Sequence, residues 1–418
     1  MIAGAGDFGA EMATQISRIR NMETCVLCDL DVEKAKSVFI EAGCREDDIA
    51  FADTAEKAAA LIQKGKRVVS DNAVEMARAD GIEVVCDATG EPYFGAELAH
   101  GAILARKHVV VVNIESDVGT GFIMSKLARE NGVVYTGADG DQPSLINGLV
   151  NWSRCLGFGI VAAGKWTSLH PEEMWFNSAK RTDSGYADGS KNQVEMCCVA
   201  NMTGLVPDTR GLRKPSLQLD EIADVFALKS DGGIFSQNGV IDVVNCLSAD
   251  GKTRLEHRLG GGVFVVAECD APRFAGMLAS KSVQRSRDGK RAFLYRPYHL
   301  VGIEAPMSIM RAALCNEATG APLERQVAEV IAISKRDLKK GERLDGIGGK
   351  TVRGEIELAS VSASERSLPL CMAEDVVVKQ DVPRNTPLSL DMLEKDGESF
   401  LWHLRKNNGL HCAGTGSN

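Results

Sequence analysis

The first twelve residues, MIAGAGDFGAEM, constrain the fold more than any other stretch, because Gly4, Gly6 and Gly9 follow the spacing G-x-G-x-x-G. Apolar residues recur at helical spacing from Phe8 onward, so a helix follows the glycine turn directly. In such a turn the first glycine permits the bend and the second allows close approach of a pyrophosphate. The third lets the helix pack against a sheet. The motif alone is weak, so its meaning depends on what surrounds it.

Strand-like and helix-like segments alternate through the first 160 residues. Near-continuous apolar runs are typical of parallel strands that are buried on both faces. The runs are TCVLCD (24–29), IAFA (49–52), RVVS (67–70), IEVVCD (82–87), HVVVVN (108–113), GVVYTG (132–137) and GIVAAG (159–164), with helices expected at 54–64, 72–79, 93–106, 117–131 and 142–156. The alternation predicts an α/β fold with a doubly wound parallel Rossmann sheet over residues 1–160. Right-handed crossovers place the loops after the strands at one sheet edge, where ligands bind.

An acidic residue, Asp29, ends the strand-like run twenty positions after Gly9. With the strand–helix context, this spacing is the fingerprint of a dinucleotide site. The carboxylate of Asp29 accepts hydrogen bonds from ribose hydroxyls and repels a 2′-phosphate, so it favours NAD over NADP. A nearby basic side chain would reverse that preference, and the cofactor is expected to be NAD or NADP.

Further cofactor contacts are expected around the same sheet edge. Asp7 and Phe8 open the first helix, whose N-terminus attracts the pyrophosphate. Thr89 and Gly90 lie in the loop after the fourth strand-like run, and Asn113 ends the fifth. Small residues in such loops let the backbone approach a nicotinamide ribose, although a plain turn uses the same residue types.

The first strand of the expected sheet has only Met1, Ile2 and Ala3 ahead of the glycine turn. The first strand of a doubly wound sheet lies at its centre, and losing it would expose unpaired backbone and apolar surface. We therefore expect that the natural chain starts upstream of Met1, and intact mass of the native protein would test this.

Polar side chains gather within apolar surroundings in four later segments: GADGDQPSL (137–145), AAGKWTSLHP (162–171), YADGSKNQVEMCCVANMTGL (186–205) and YRPYHLVGIEAP (295–306). In the third, Lys191 and Glu195 are four residues apart and share one face of a predicted helix. A solvated salt pair is the ordinary explanation of that spacing. The apolar flanks favour a helix that is buried on several sides.

Motifs along the chain resemble those of one enzyme family. They are GAGDFG, KHVVVVNIESDVG, ADGDQP, IVAAGK, FNS followed by DGSK-x-x-x-EM, VANMTGL, RPYHLVGIE and KRDLKKGERLDG. On these motifs the chain resembles the homoserine-dehydrogenase-like NAD(P)-dependent oxidoreductases with a C-terminal SAF domain, some of which are called deoxyxylulose-phosphate-reductoisomerase-like. The family pattern includes a first strand that is absent here, which supports an upstream start of the natural chain.

The resemblance implies three domains. They are the Rossmann domain at 1–160, an α+β catalytic and dimerisation domain at 161–325 and a small all-β SAF module of the β-clip type at 326–402. Residues 403–418 are rich in Asn and Gly and are expected to form a disordered tail. The resemblance also implies a homodimer. One type of family member converts deoxyxylulose 5-phosphate to methylerythritol phosphate with NADPH and a divalent metal. Activity varies across the family, so the substrate does not carry over.

Hydride transfer to a carbonyl leaves negative charge on oxygen, which an ammonium group stabilises and protonates. Lys165 and Lys191 are the candidates, and one of them would instead bind a substrate phosphate. Glu195 and His299 are further catalytic candidates, although a histidine such as His299 is as often a structural residue of the core. The expected reaction is hydride transfer between nicotinamide and a small hydroxy or carbonyl substrate, a sugar phosphate or polyol-derived acid.

A carbon-skeleton rearrangement would need a divalent cation, Mg²⁺ or Mn²⁺, held by carboxylates. Asp139, Asp141 and Glu195 are the candidate ligands. Asp139 stands where the family pattern has a larger neutral or aromatic residue, so it would add a ligand or alter substrate choice. The alternatives to a simple oxidoreductase are a reductoisomerase-like enzyme, a homoserine-dehydrogenase-type activity and a dinucleotide sensor without turnover.

The composition excludes several classes of partner. The net charge of −9 and the absence of a long basic run argue against nucleic acid, and no apolar run has membrane length. Twelve cysteines in a chain without an export signal indicate reduced thiols and a cytoplasmic enzyme with a small-molecule substrate.

Overall fold

A computed structural model describes residues 1–168, 181–182, 185–186, 188–248, 250–258, 260–269, 271–394 and 398–409. The FNS motif at 176–178 and residues 410–418 of the expected tail lie outside these ranges. The chain forms two compact units: residues 1–144 with 300–324, and residues 145–299 with 325–418. The boundaries expected near 160, 325 and 402 remain predictions about independent domains.

The first unit alternates strand and helix as the sequence predicts. Its elements are β1 (Ile2–Ala3), α1 (Asp7–Ile16), β2 (Val26–Cys28), α2 (Val32–Glu41), β3 (Ile49–Phe51), α3 (Ala55–Gln63), β4 (Arg67–Ser70), α4 (Ala73–Met76), β5 (Val84–Asp87), α5 (Pro92–Leu104), β6 (His108–Val111), α6 (Ile114–Glu130) and β7 (Tyr135–Gly137). Among the described residues these strands form a parallel seven-stranded sheet in the order β3-β4-β2-β1-β5-β6-β7. The prediction of a doubly wound α/β fold is confirmed.

Strand β1 occupies the central position in this sheet although it has only two residues. Ile2 pairs with Leu27 and Cys86, and Ala3 pairs with Cys28 and Asp87. Ile2 belongs to a buried apolar cluster with residues of β2, β4, β5, α1 and α2. Ile2 and Ala3 thus form the central strand of this sheet, and the expected upstream start of the natural chain stays a prediction.

The second unit continues through α7 and a second sheet. Its elements, with α11 of the first unit in chain order, are α7 (Gln142–Cys155), β8 (Ile160–Thr167), β9 (Arg181–Thr182), β10 (Gly185–Tyr186), α8 (Ser190–Thr203), β11 (Val206–Pro207), α9 (Ile222–Val225), β12 (Val240–Asn245), β13 (Val263–Glu268), α10 (Pro272–Ser280), β14 (Gln284–Arg285), β15 (Arg291–Arg296), α11 (Val301–Met310), β16 (Ala328–Ser334), β17 (Arg343–Asp345), β18 (Val352–Leu358), α12 (Ala359–Ser364), β19 (Glu374–Val377) and α13 (Phe400–Asn407). Over the described residues the larger sheet has the order β11-β12-β8-β13-β15-β14. Strands β11, β12 and β8 run parallel, and β13 and β15 are antiparallel neighbours.

The run GIVAAG was predicted to continue the series of strands of the first sheet. It instead belongs to β8, in the centre of this second sheet. Its neighbours there are β12 and β13, which come much later in the chain. Apolar periodicity predicts that a strand exists and does not say which sheet it joins.

The C-terminal part of the second unit, residues 325–409, is called the C-terminal module below. It contains two antiparallel strand pairs, β16 with β18 and β17 with β19. Residues 346–349 form a turn in which the N–H of Gly349 donates to the carbonyl of Gly346. The prediction of a disordered tail from residue 403 is wrong for residues 403–407, because these belong to α13, in which Arg405 is buried.

None of the helices within the described residues combines the length and the hydrophobicity needed to cross a membrane.

Candidate functional site

The glycine turn of the first unit has the tight geometry that its sequence predicts. Gly4 has φ of +99°, and a Cβ atom there would lie 2.6 Å from the carbonyl oxygen of Ala88. A Cβ on Gly9 would lie 1.9 Å from the oxygen of Gly4, so α1 approaches the turn more closely than any other residue would allow. A Cβ on Gly6 would meet no atom within 4 Å. Gly4 and Gly9 are therefore required by the fold, whereas Gly6 borders open space.

That open space fits a dinucleotide pyrophosphate. Helix α1 begins at Asp7, and no described side chain caps its N-terminus at Gly6. Asp7 and Phe8 are exposed in the first turn. A helix start without a side-chain cap offers backbone N–H groups and partial positive charge to an anion. The residues present therefore fit the phosphates of NAD or NADP at this turn.

Asp29 lies beside the same turn. Its Oδ2 accepts a hydrogen bond from the N–H of Ala5 at 2.7 Å, and its Oδ1 accepts one from the N–H of Asp31 at 3.0 Å. The carboxylate is thus fixed by two backbone donors at the carboxyl end of β2. Each carboxylate oxygen can accept a second hydrogen bond, which a ribose hydroxyl would supply.

A second carboxylate, on Asp71, lies at this corner and was missed by the sequence analysis. Cys28 pairs with Ser70 in the sheet, and the N–H of Asp29 donates to the carbonyl of Ser70, so Asp29 and Asp71 follow adjacent strand ends. Burial raises the pKa of the Cys28 thiol to about 12, and the charges of Asp71 and Asp29 add to the increase. The signal was available, since Asp71 follows a predicted strand directly, as Asp29 does.

The loop after β5 is held by a buried carboxylate, Asp87. It accepts hydrogen bonds from the N–H and hydroxyl of Thr89 and from Nδ2 of Asn113, at 2.7 to 3.0 Å. Burial raises the pKa of Asp87, while these donors oppose the increase. Thr89 and Asn113, which were expected to contact cofactor, thus have their side chains directed to Asp87. Gly90 adopts a positive φ of 71° in this loop.

In the second unit the structure brings together two predicted catalytic residues from distant parts of the chain. Lys165 extends from the central strand β8, and its Nζ donates to Oε2 of Glu195 on α8. Lys165 is 5% exposed and Glu195 is 2% exposed. Each charge compensates the other where water is scarce. The ammonium can donate a proton to a bound group, and the carboxylate holds the ammonium in place.

Lys191, by contrast, does not pair with Glu195. It lies in the first turn of α8 and is the one residue of that helix that is not buried. Its ammonium makes no hydrogen bond or ion pair with any residue of the described part of the chain. The i,i+4 spacing predicted that these side chains share a face, and Lys165 takes the carboxylate instead.

Other polar groups lie at the same end of the second sheet as Lys165. The sheet register aligns Lys165 with Val263 on one side, and Val263 with Arg296. His299 follows β15 three residues later, and its Nδ1 lies 2.7 Å from the carbonyl oxygen of Gly261. Because a carbonyl only accepts, Nδ1 carries the proton and Nε2 of neutral His299 is the acceptor.

The predicted metal ligands do not form a metal site. Among the described residues, no three His, Cys, Asp or Glu side chains are arranged to hold a metal ion. Oδ1 of Asp139 accepts from the N–H of Gly140, Oδ1 of Asp141 accepts from the N–H of Gln142, and Glu195 is paired with Lys165. The expectation of a divalent metal at these carboxylates is not supported.

Residues 140–305 match the family described as Oxidoreductase DRL, catalytic domain. This segment contains Lys165, Lys191, Glu195 and His299. Among curated protein sequences, none matches the chain at a significant level.

Several solved structures are similar at low identity. A probable dehydrogenase from Thermotoga maritima has a TM-score of 0.41 and 11% identity over 77% of this chain and 90% of its own. A scyllo-inositol dehydrogenase from Lactobacillus casei, with bound NAD(H) and scyllo-inositol, has a TM-score of 0.35 and 14% identity over 64% of this chain and 72% of its own. A myo-inositol dehydrogenase from Corynebacterium glutamicum has a TM-score of 0.35 and 12% identity over 64% and 71%. No conclusion about substrate follows from likeness at this level.

The matched family supports the oxidoreductase class and does not extend to deoxyxylulose-phosphate reductoisomerase, homoserine dehydrogenase or a SAF module. The homodimer and the cytoplasmic location likewise remain predictions. The dinucleotide-type sheet and the matched domain together confirm the predicted enzyme class: the chain is an NAD(P)-dependent oxidoreductase with a catalytic domain similar to that of the DRL oxidoreductases.

Proposed function

We propose that the enzyme interconverts an alcohol and a carbonyl on a small, anionic, hydroxyl-rich substrate, a sugar phosphate or a polyol-derived acid, with NAD as the coenzyme. The buried Lys165–Glu195 pair carries this proposal. A dinucleotide sensor needs no proton donor, whereas a buried ammonium held by a carboxylate supplies one.

The coenzyme would bind at the glycine turn of the first unit. Gly6 leaves room for the pyrophosphate, and the N-terminus of α1 supplies N–H donors. The carboxylate of Asp29 would accept hydrogen bonds from the hydroxyl groups of the adenosine ribose. When bound, the nicotinamide exchanges a hydride with the carbon that carries the reacting oxygen.

Lys165 is the proposed acid and base. In the direction of carbonyl reduction its Nζ donates a proton to the substrate oxygen as negative charge grows there, and in the direction of alcohol oxidation the neutral amine takes the proton back. Glu195 holds Nζ in place through its Oε2 and compensates the ammonium charge. The ε-ammonium has three donors, one of which binds Glu195.

The substrate class follows from the other charges at the same end of the second sheet. Arg296 is the last residue of β15 and His299 follows it, while Lys191 is a partly exposed cation on α8, the helix that carries Glu195. Cations placed in this way bind phosphate or carboxylate groups, and the Nε2 atom of His299 would accept from a substrate hydroxyl. An anionic polyol satisfies both kinds of group.

The test is the substitution Lys165→Met, which keeps the length of the side chain and removes its ammonium. Wild-type protein and variant are assayed by absorbance of reduced nicotinamide on a panel of sugar phosphates and aldonates, and NADH affinity is measured by fluorescence titration. We expect kcat to fall by about 10²- to 10⁴-fold, the usual contribution of a general acid–base. NADH affinity should stay within about twofold, because the glycine turn is untouched.

The matched control is Lys229→Met, an exposed lysine of the same unit, which should leave both quantities unchanged. Equal activity of wild type and Lys165→Met on every substrate that the wild type turns over would reject the role of Lys165. Coenzyme binding without turnover of any panel member would favour the sensor.

A further inference from the structure

Helix α8, which carries Glu195, is buried almost all round. Every residue of α8 except Lys191 is buried. The helix packs against β12 of the six-stranded sheet and also against β16 and β18 of the C-terminal module. A helix without a polar face has no hydrophobic pattern to fix its rotation about its own axis. Specific hydrogen bonds must therefore set which residues point at Lys165.

Those hydrogen bonds come from the C-terminal module. Ser190, Gln193 and Asn201 lie three, then eight residues apart, which places them along one face of the helix. Oγ of Ser190 accepts from the N–H of Gly354 at 2.8 Å, and Oε1 of Gln193 accepts from the N–H of Ile356 at 3.0 Å. All these side chains are buried and bind backbone groups, which have fixed positions in the strand.

The far end of the helix is held in the same way. Oδ1 of Asn201 accepts from the N–H groups of Val327 and Ala328 at 2.8 and 3.1 Å, and its Nδ2 donates to the carbonyl of Ala328 at 3.2 Å. Three side chains spread over twelve residues therefore define both the rotation of α8 and its position along its axis.

A buried ion pair fixes the start of the helix. Asp188 lies two residues before the start of α8. Its Oδ1 accepts a hydrogen bond from the N–H of Ser190 at 3.0 Å, and its Oδ2 lies 2.5 Å from Nζ of Lys335. Nζ of Lys335 also donates to the carbonyl of Gly349 at 2.5 Å. Lys335 directly follows β16, and its side chain is only 3% exposed. It therefore links the C-terminal module to the residue that precedes α8 by two positions.

Gln193 and Glu195 act on opposite sides of the helix. Two residues correspond to about 200° of helical rotation, so a Gln193 side chain held against β18 turns Glu195 away from the module and toward β8. Nε2 of Gln193 donates to the carbonyl of Gly211 at 3.2 Å, so both ends of its amide are fixed. A change in the rotation of α8 would move the Glu195 carboxylate relative to Nζ of Lys165.

We propose that the C-terminal module is the positioning element of the proton-transfer site, and that Gln193 is the positioning residue that sets the orientation of Glu195. The inference rests on the proposed function, in which the Lys165–Glu195 pair moves the proton. The module then acts on the proton-transfer site through α8.

The experiment uses the full chain and the substitution Gln193→Met, which preserves side-chain length and removes both hydrogen bonds. The control is Thr203→Val on the same helix, whose hydroxyl bonds only to Val199 and Leu205 within the helix and its end. We expect Gln193→Met to lower kcat about 10- to 100-fold, while the KM for NADH stays within twofold. Thr203→Val should lower thermal stability without that loss of kcat.

Ser190→Ala, which removes one bond to the module, is the second variant and should give a smaller kcat loss of the same kind. Thr203→Val matching Gln193→Met in kcat, or full activity of both module-facing variants, would overturn the inference. Lys165→Met is assayed beside them on the same panel substrate. Loss of activity in Lys165→Met with full activity in Gln193→Met and Ser190→Ala rejects the positioning role alone, whereas activity in Lys165→Met rejects the proposed function and this inference with it.

Discussion

The proposed choice of coenzyme depends on single side chains beside the glycine turn. Asp29 is held by two backbone donors, and Asp71 adds a second negative charge at the neighbouring strand end. A 2′-phosphate placed near Asp29 would be repelled by both carboxylates. The account therefore predicts a preference for NAD.

The substitution Asp71→Asn tests this preference, because it removes one charge without disturbing the hydrogen bonds of Asp29. We expect the ratio of kcat/KM for NADP to that for NAD to rise by about 3- to 10-fold at low salt and less at high salt. Asp47→Asn, an exposed carboxylate before β3, is the control and should leave the ratio unchanged. A ratio insensitive to Asp71→Asn would remove Asp71 from coenzyme selection.

Asp242 on β12 predicts a pH dependence of stability. Its carboxylate accepts from the N–H groups of Arg213, Lys214 and Val243, yet burial raises its pKa to about 6 from an ordinary 3.8. The folded protein therefore binds a proton between these pH values that the unfolded chain does not bind. This group lowers the free energy of unfolding as pH rises from about 4 to 6.

The measurement is urea unfolding of wild type and Asp242→Asn across this pH range. We expect the variant to gain up to about 3 kcal/mol relative to wild type between pH 4 and pH 7, since one pKa unit corresponds to about 1.4 kcal/mol. A difference between the two proteins that stays constant with pH would contradict the assignment.

Some of the site could be predicted from individual residues. Gly4, Gly6, Gly9 and Asp29 follow from spacing, because a short turn and a strand end determine their places. The Lys165–Glu195 pair could not be predicted, since it joins β8 to α8 across thirty positions and depends on tertiary packing. The sequence offered Lys191 as the partner, which is the local choice.

At the level of elements, the start of α6 illustrates how one side chain links a helix to a loop. Asn113 caps α6 by accepting from the N–H of Ser116 at 3.2 Å, and its Nδ2 donates to Asp87 and to the carbonyl of Glu91 at 2.9 and 3.0 Å. The sequence predicted that Asn113 lies at the end of a strand. It did not predict that its side chain contacts a buried carboxylate.

The substitution Asn113→Ala should therefore lower the free energy of unfolding by about 2–4 kcal/mol, the sum of a lost N-cap and an unsatisfied buried carboxylate. Coenzyme affinity should also fall, because the loop of Thr89 and Gly90 loses its support. Ser116→Ala keeps the backbone N–H that Asn113 caps and is the control. A loss below about 1 kcal/mol in Asn113→Ala would show that the network is not structurally important.

Element boundaries in the first unit were predicted well because each strand and helix has its own periodic pattern. Two elements of the second unit, β8 and α13, were not predicted correctly. Strand β8 was assigned to the first series because periodicity does not identify the sheet partner, and α13 was taken for tail. The Asn- and Gly-rich residues after α13 suggested disorder, while Ser399 caps a helix that buries Leu401 and Trp402.

On the scale of the whole molecule, each unit supplies a different part of the proposed reaction. The first has the turn that fits a coenzyme, and the second has the buried ion pair and the module that holds its helix. The central claim is that the pyrophosphate of NAD lies on the glycine turn. Gly6 allows a direct test, because a methyl group there meets no atom of the protein within 4 Å and its φ of −71° suits any residue.

The measurement is an equilibrium titration of NADH into wild type, Gly6→Ala and the control Gly148→Ala, which adds a methyl group to open space on α7. The account predicts that wild type and Gly148→Ala bind NADH alike and that Gly6→Ala binds at least about tenfold more weakly. The free energy of unfolding of Gly6→Ala should change by less than about 1 kcal/mol. Equal affinity of Gly6→Ala and wild type, or no binding of NADH or NAD to the wild type, would contradict the account.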